Sequence, residues 1–321
     1  MNHRSLPLIA GLLGIAAGPL AQAQGQDFST VEITTTQLTD TLYMLQGRGG
    51  NIGVSAGADG VFIIDDQYAP LSDKIRAALG KISTQPVRFV INTHWHGDHT
   101  GGNENFGQGG SVIIAHDNVR HRMAADQVLE FFKTEVKAAP PIALPVVTFN
   151  DELSLHLNGD EARIIHVAHA HTDGDAIIHF VNSNVYHFGD TFFNGMYPFI
   201  DLDSGGSLHG MIMASGMLIG ECNDETKIIP GHGPLAGRAE LADYHAMLIG
   251  VRDAVRPFVA GGKTLEETIA AKPTAAYDEK WGQGFIKPES MVTFAYRSIE
   301  KHRAERQTRS AERRSKRPAR E

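Results

Sequence analysis

Apolar and polar positions alternate in short runs over the first third of the chain. Residues 31–39, 41–46, 51–55 and 61–64 read as four consecutive strands. They are broken at Asp40, at Gly47-Arg48-Gly49-Gly50 and at Gly57-Ala58-Asp59-Gly60. A helix is predicted over 71–79, and residues 87–92 read as a buried strand from their length and β-branched content. Gly101 to Asn105 opens a short helix, 112–115 is a strand, and Asp117 is expected to cap a helix running past Met123. After a polyproline-like connection over 138–145, strands are predicted at 146–149, 153–157, 163–167, 176–181 and 185–188. Ser207 is placed to cap a helix through Gly220, 227–229 is a last strand, and helices follow over 239–255 and 265–271. Two blocks of strands, each ending in helices, predict one α/β domain with two sheets face to face and helices outside. No short-period repeat and no linker divides the body, residues 24–300.

The two ends depart from this pattern. Met1 to Arg4 is a short positive segment, residues 6–20 are apolar apart from Gly and Pro, and Ala21-Gln22-Ala23 is a small-x-small site. Residues 1–23 therefore read as a signal peptide, with a secreted, periplasmic product. The apolar run is shorter than the ~20 residues that span a bilayer, so no stable membrane insertion is expected. Cys222 is the only cysteine, which excludes an intramolecular disulfide, and it is expected to be a packing residue. The formal charge is −8; residues 301–321 hold nine Lys/Arg against three Asp/Glu, leaving −14 over residues 1–300. The tail lacks apolar periodicity and reads as a basic, disordered segment. The acidic body argues against nucleic acid as a partner.

The densest chemistry lies in Thr93-His94-Trp95-His96-Gly97-Asp98-His99-Thr100, where four metal-ligating side chains fall within six residues. Imidazole with carboxylate suits zinc or iron(II) at neutral pH. The loop leaves the carboxyl end of a strand, where open α/β sheets place their sites. Further ligands stand after other strands: His171, with His169 as its rival, then Asp190 and His232. Glycine beside Asp190 and His232 allows a sharp turn and a close approach. Asp65-Asp66 are expected to brace the metal loop by hydrogen bonds.

With its His-x-His-x-Asp-His loop, the chain resembles the metallo-β-lactamase-fold hydrolases over roughly residues 30–255. This αββα sandwich family includes glyoxalase II, lactonases and metallo-β-lactamases. The resemblance implies that His94, His96 and His171 hold one metal, that Asp98, His99 and His232 hold a second, and that Asp190 bridges them. His171 is favoured over His169 because the family's pattern is a His-Thr pair followed by glycine. It implies two Zn²⁺ per chain, with iron or manganese as substitutes, and a metal-bridging hydroxide oriented by Asp98 as the catalytic residue. The implied reaction is acyl transfer to water on a small-molecule ester, lactone, thioester or amide. A β-lactamase is the alternative, and a mono-iron enzyme of persulfide dioxygenase type is a second. Asp190 stands where metallo-β-lactamases carry Cys or Ser, and no Lys or Arg lies between Gly189 and Lys227, which together disfavour a lactam specialist. The aromatic run over 192–199 either covers a cleft or packs on the body. Asn51 is expected on a mobile hairpin at the rim. His209 is the one remaining histidine expected to be able to face the cleft.

Overall fold

The computed structural model describes residues 27–315. The expected signal peptide and the last residues of the basic tail lie outside that range. The first sheet is mixed. In chain order its strands are β1 (Thr34–Gln37), β2 (Leu42–Gln46), β3 (Ile52–Gly57), β4 (Gly60–Ile64), β5 (Val87–Ile91), β6 (Val112–His116) and β9 (Val147–Phe149). Pairing is antiparallel from β1 to β4 and parallel from β4 to β9. The second sheet has β10 (Glu152–Leu157), β11 (Asp160–Val167), β12 (Asp175–Phe180), β13 (Val185–His187) and β14 (Lys227–Ile229). Its strands are antiparallel except for the parallel pair β13 and β14.

The side-chain period of two divides each strand between two cores. In β4, Phe62 and Ile64 point into a cluster shared with Ile164, Ile178 and Phe180 of the second sheet. Val61 and Ile63 of the same strand face the outer cluster that holds Ile75 and Leu79. The latter two lie on α1 (Ser72–Ile82). This double burial is why the strand reads as an unbroken apolar run. On the far side, Ile177, Tyr186 and Ile228 pack against α5 (Leu208–Glu221), α6 (Arg238–Ala260) and α9 (Pro288–Ser315). The order of layers is helix, sheet, sheet, helix. Short helices complete the chain: α2 (Gly97–Thr100), α3 (Asn103–Gln108), α4 (Asp117–Met123), α7 (Leu265–Ala270) and α8 (Ala275–Trp281).

Several expectations are corrected. His116, not Asp117, caps α4: its ring accepts a hydrogen bond from the Asn118 N–H, 3.1 Å away. A hairpin of β7 (Gln127–Leu129) and β8 (Thr134–Val136) stands where no element is predicted, since three-residue strands are too short to show a period. α8 and α9 are also unpredicted, although α9 opens with Pro288 and Glu289 and buries Met291, Val292, Phe294 and Ala295. The basic tail does not begin as coil: α9 continues through residues 301–315. Ala, Glu, Arg and Gln there have high helix propensity, so the segment extends a docked helix without an apolar face of its own. Among the described residues no helix is long and apolar enough to cross a membrane.

Candidate metal centre

β4, β5, β11, β13 and β14 all end at one edge of the sandwich, and the loops leaving them carry the ionisable cluster. His94, His96, Asp98 and His99 follow β5, His171 follows β11, Asp190 follows β13 and His232 follows β14. All seven residues expected from the sequence come together. The donor atoms fall into three overlapping groups, each within 4.8 Å: His94, His96 and His171; His94, His99 and Asp190; and Asp98, His99 and His232.

Asp190 sits between them with its two oxygens divided. Oδ2 lies 3.5 Å from Nε2 of His171 and 3.8 Å from Nε2 of His94. Oδ1 lies 3.1 Å from Nε2 of His99 and 3.4 Å from Nε2 of His232. Asp98 faces only the second side, with Oδ2 at 3.3 Å from Nε2 of His232. Crowding imposes two glycines here. Gly189 turns with φ +49, and a side chain at Gly231 would run into Asp190 Oδ1.

Each buried imidazole has one ring nitrogen tied to an oxygen acceptor, which sets its tautomer. His99 Nδ1 donates to Asp65 Oδ2 at 2.7 Å, and His171 Nδ1 donates to the Phe199 carbonyl at 2.8 Å. Thr93 Oγ1 gives its proton to Asp65 Oδ2 at 2.8 Å and accepts from His94 Nδ1 at 3.0 Å. His96 is turned the other way: Nε2 donates to Asp201 Oδ2 at 3.0 Å, and Nδ1 approaches His171 Nε2 at 2.9 Å. The second nitrogen of each ring faces its neighbours in the cluster, the pattern of metal-binding histidines. His94 Nε2 and Asp190 Oδ1 are buried without any hydrogen-bond partner. The residues are suited to holding metal.

The electrostatics separate the two halves. Burial holds His94 well below the usual imidazole range and His171 down to about 4, so these two rings favour the neutral form. In the second half burial pulls the same way but the carboxylates win. Asp190, Asp65 and Asp98 raise His99 well above its ordinary value, and Asp190 and Asp98 raise His232 to about 9. Burial opposes ionisation of Asp98, yet His99 and His232 hold it at about 2. The two carboxylates call for positive charge beside them. A divalent cation answers the same need.

The surroundings sort the remaining expectations. His169 is exposed at φ +56 with Nδ1 on the Gly205 carbonyl, away from the cluster, so His171 is the clustered residue of that pair. Asp65 braces Thr93 and His99, and Asp66 Oδ1 accepts from the Gly102 N–H at 2.8 Å. Asn51 is not on a mobile rim. It is buried, and Nδ2 donates to the carbonyls of Pro230 at 2.8 Å and Gly233 at 2.9 Å, which pins the His232 loop. Phe192, Phe193 and Phe199 pack on the body, yet Phe193 stacks on His232 at 5.2 Å and Phe199 meets the rings of His96 and His171. His209 is exposed at the start of α5, beside His302 rather than the cluster. Cys222 is buried at the end of α5, and burial pushes its thiol up to about 11, as suits a packing residue. Two residues escaped sequence reading. Asp201 announced itself only as a carboxylate closing an apolar loop. Phe285 comes from an unassigned segment, lies 53% exposed and stands 6.1 Å from His232.

Comparison with known proteins agrees with this architecture. Part of the chain is 27% identical, over 144 residues, to the 2,4-dinitroanisole O-demethylase subunit alpha of Nocardioides sp. (strain JS1661). That match covers 43% of the chain and only 40% of the demethylase subunit's length. Among solved structures, the stereoselective inverting sec-alkylsulfatase Pisa1 from Pseudomonas sp. superposes with a TM-score of 0.61 at 17% identity, over 83% of this chain and 50% of that one. A metallo-β-lactamase from Pontibacter korlensis gives 0.54 at 17% identity, over 68% and 99%. The DIM-1 metallo-β-lactamase gives 0.55 at 15% identity, over 68% and 98%. These likenesses are of fold. The family model of the metallo-beta-lactamase superfamily matches residues 46–243, and the chain belongs to that superfamily.

Proposed function

We propose that this protein is a two-metal hydrolase that cleaves an ester, lactone or thioester, and that it works outside the cytoplasm behind the signal-like segment 1–23. The observation that carries the reading is Asp190, with one oxygen turned to each half of the cluster. His94, His96 and His171 would hold one ion, Asp98, His99 and His232 the other, and Asp190 both. Zinc suits this donor set, which has no thiolate. Bound there, the ions would supply hydroxide at neutral pH and polarise the scissile carbonyl. Asp98 has the more open of the two clustered carboxylates, with 24% side-chain exposure against 5% for Asp190. In this reading it would orient the attacking water and take its proton, which then passes to the leaving oxygen or sulfur as the acyl bond breaks. Phe285 offers an apolar surface beside His232 for the group that departs.

The relatives' names suggest what to try. The names of two of them, a 2,4-dinitroanisole O-demethylase subunit and a sec-alkylsulfatase, point to an aryl ether and an alkyl sulfate, so a nitrophenyl ester and an alkyl sulfate join a lactone, a thioester and a cephalosporin as substrates. The bridging carboxylate lowers the centre's positive charge by one relative to Ser, so an anionic β-lactam gains less attraction than it would there. Metal quantification on the purified protein, coupled to this panel, is the test. Two zinc equivalents with turnover of the neutral esters or lactones is expected. Saturation at one iron with no hydrolysis would sink the reading. So would β-lactam kcat/KM in the enzyme range of about 10⁴–10⁸ M⁻¹s⁻¹ with esters near background.

A further inference from the structure

We infer that a second ligand site, separate from the metal centre, lies between the C-terminal part of α6 and α9 and takes an amphipathic organic anion: an alkyl chain ending in carboxylate, sulfate or phosphate. A concave cavity of about 780 Å³ lies there. Arg252 and Arg256 enter it from α6, and Arg303 and Arg306 from α9. Leu208, Val259, Ala260 and Ile299 provide an apolar wall. None of the seven clustered ligands borders it.

The charge balance singles the cavity out. Arg252 Nε stands 2.9 Å from Asp253 Oδ1 and Arg256 Nη2 3.6 Å from the same oxygen. Arg303 Nη1 donates to the Val259 carbonyl at 2.9 Å, which orients it without neutralising it. Among the described residues Asp253 is the one carboxylate within ion-pair distance of these four guanidinium groups, which leaves three positive charges. Arg303 and Arg306 belong to the basic segment 301–321, whereas Arg252 and Arg256 come from the acidic body, at −14 over residues 1–300, so it is their meeting across one cavity that gathers the charge. Like charges gathered around one cavity repel, and an oxyanion relieves that repulsion while matching the guanidinium fork. An inorganic anion would leave the apolar wall bare. The cavity lies within the usual range for small organic ligands, about 300–1,000 Å³. Its concave form suits a single molecule better than a flat membrane surface. His209, Ser298 and His302 also border an adjoining cavity of about 540 Å³ that reaches Phe199 and Asp201, so a longer chain has room to continue.

The site stands independently of the hydrolase reading. Calorimetric titration of the full, metal-loaded chain with decanoate below its aggregation concentration is the experiment, with acetate, decyltrimethylammonium and phosphatidylglycerol vesicles as parallel arms. Decanoate is expected to saturate at one per chain, with acetate and the cationic surfactant at least about tenfold weaker. The double variant Arg256→Gln/Arg306→Gln, at exposed positions, should keep the thermal midpoint and lose decanoate affinity by about tenfold or more. Equal binding of the cationic surfactant would reduce the cavity to a greasy surface and overturn the proposal. Decanoate binding that survives the double substitution and competes with hydrolysis would place the carboxylate on the metals instead. Binding to vesicles alone would make the patch a membrane contact.

Discussion

Asp201 Oδ2 stands 3.0 Å from Nε2 of His96 and accepts a hydrogen bond from it. This single contact makes His96 present Nδ1 to the cluster, whereas His94, His99 and His171 present Nε2. Ser204 N–H, 3.1 Å from Asp201 Oδ1, and Asp201 N–H, 3.0 Å from the His171 carbonyl, hold the carboxylate in place. Asp201→Ala should therefore lower metal affinity on the His94–His96–His171 side by about 10–100-fold while the protein stays folded. Chelator competition followed by metal analysis reads this. Unchanged affinity would mean that the ring is oriented by packing against Phe199 alone.

Removing the divided carboxylate should disturb both halves. Asp190→Ala is expected to drop the bound metal from two equivalents to one or fewer, with loss of hydrolysis. Metal counted after dialysis is the measure, and retention of two ions with full activity would contradict the bridging role.

The two neighbouring histidines should behave oppositely. His171→Ala removes a buried nitrogen that lies 2.9 Å from His96 and should lose metal. His169→Ala deletes an exposed ring on the Gly205 carbonyl and should leave metal content unchanged. The reverse result would reassign the third imidazole.

Phe285 should act on substrate choice rather than on metal. With half of its surface open beside His232, Phe285→Ala is expected to raise KM for a bulky aryl ester several-fold and leave that of a small acetate ester nearly as it was. The metal count should not change. A matched fall in kcat for both esters would show instead that Phe285 supports the His232 loop.

Stability should be most sensitive between the sheets. Phe62 of the first sheet and Phe180 of the second stack with centroids 6.0 Å apart in the shared core. Phe62→Ala should cost about 3–5 kcal/mol, measured by denaturant unfolding of metal-loaded protein. A loss below about 1 kcal/mol would show that the core can collapse into the gap.

Local chemistry makes most of the scaffold and the ligand-bearing loops legible, while the choice of His171 over His169 rests on the family resemblance. Runs such as Val61–Ile64 are strands because β-branched residues favour the pleat. The His-x-His-x-Asp-His loop is visible because its ligands are adjacent in the chain. His171, Asp190 and His232 stand out as candidates because each follows a strand, and strand ends meet at one edge. What the sequence left open depends on residues far apart in the chain. Asp201 orients His96 from 105 positions away. Asn51 pins the carbonyl of Pro230 from 179 positions away, and a rim loop thereby becomes buried structure. The arginines of α9 reach their cavity, and Phe285 just before that helix reaches His232, only because α9 docks on α5 and α6. A local pattern reports what a segment prefers. Which donor meets which acceptor is decided by packing, since only the folded arrangement excludes water from both and makes the pairing obligatory.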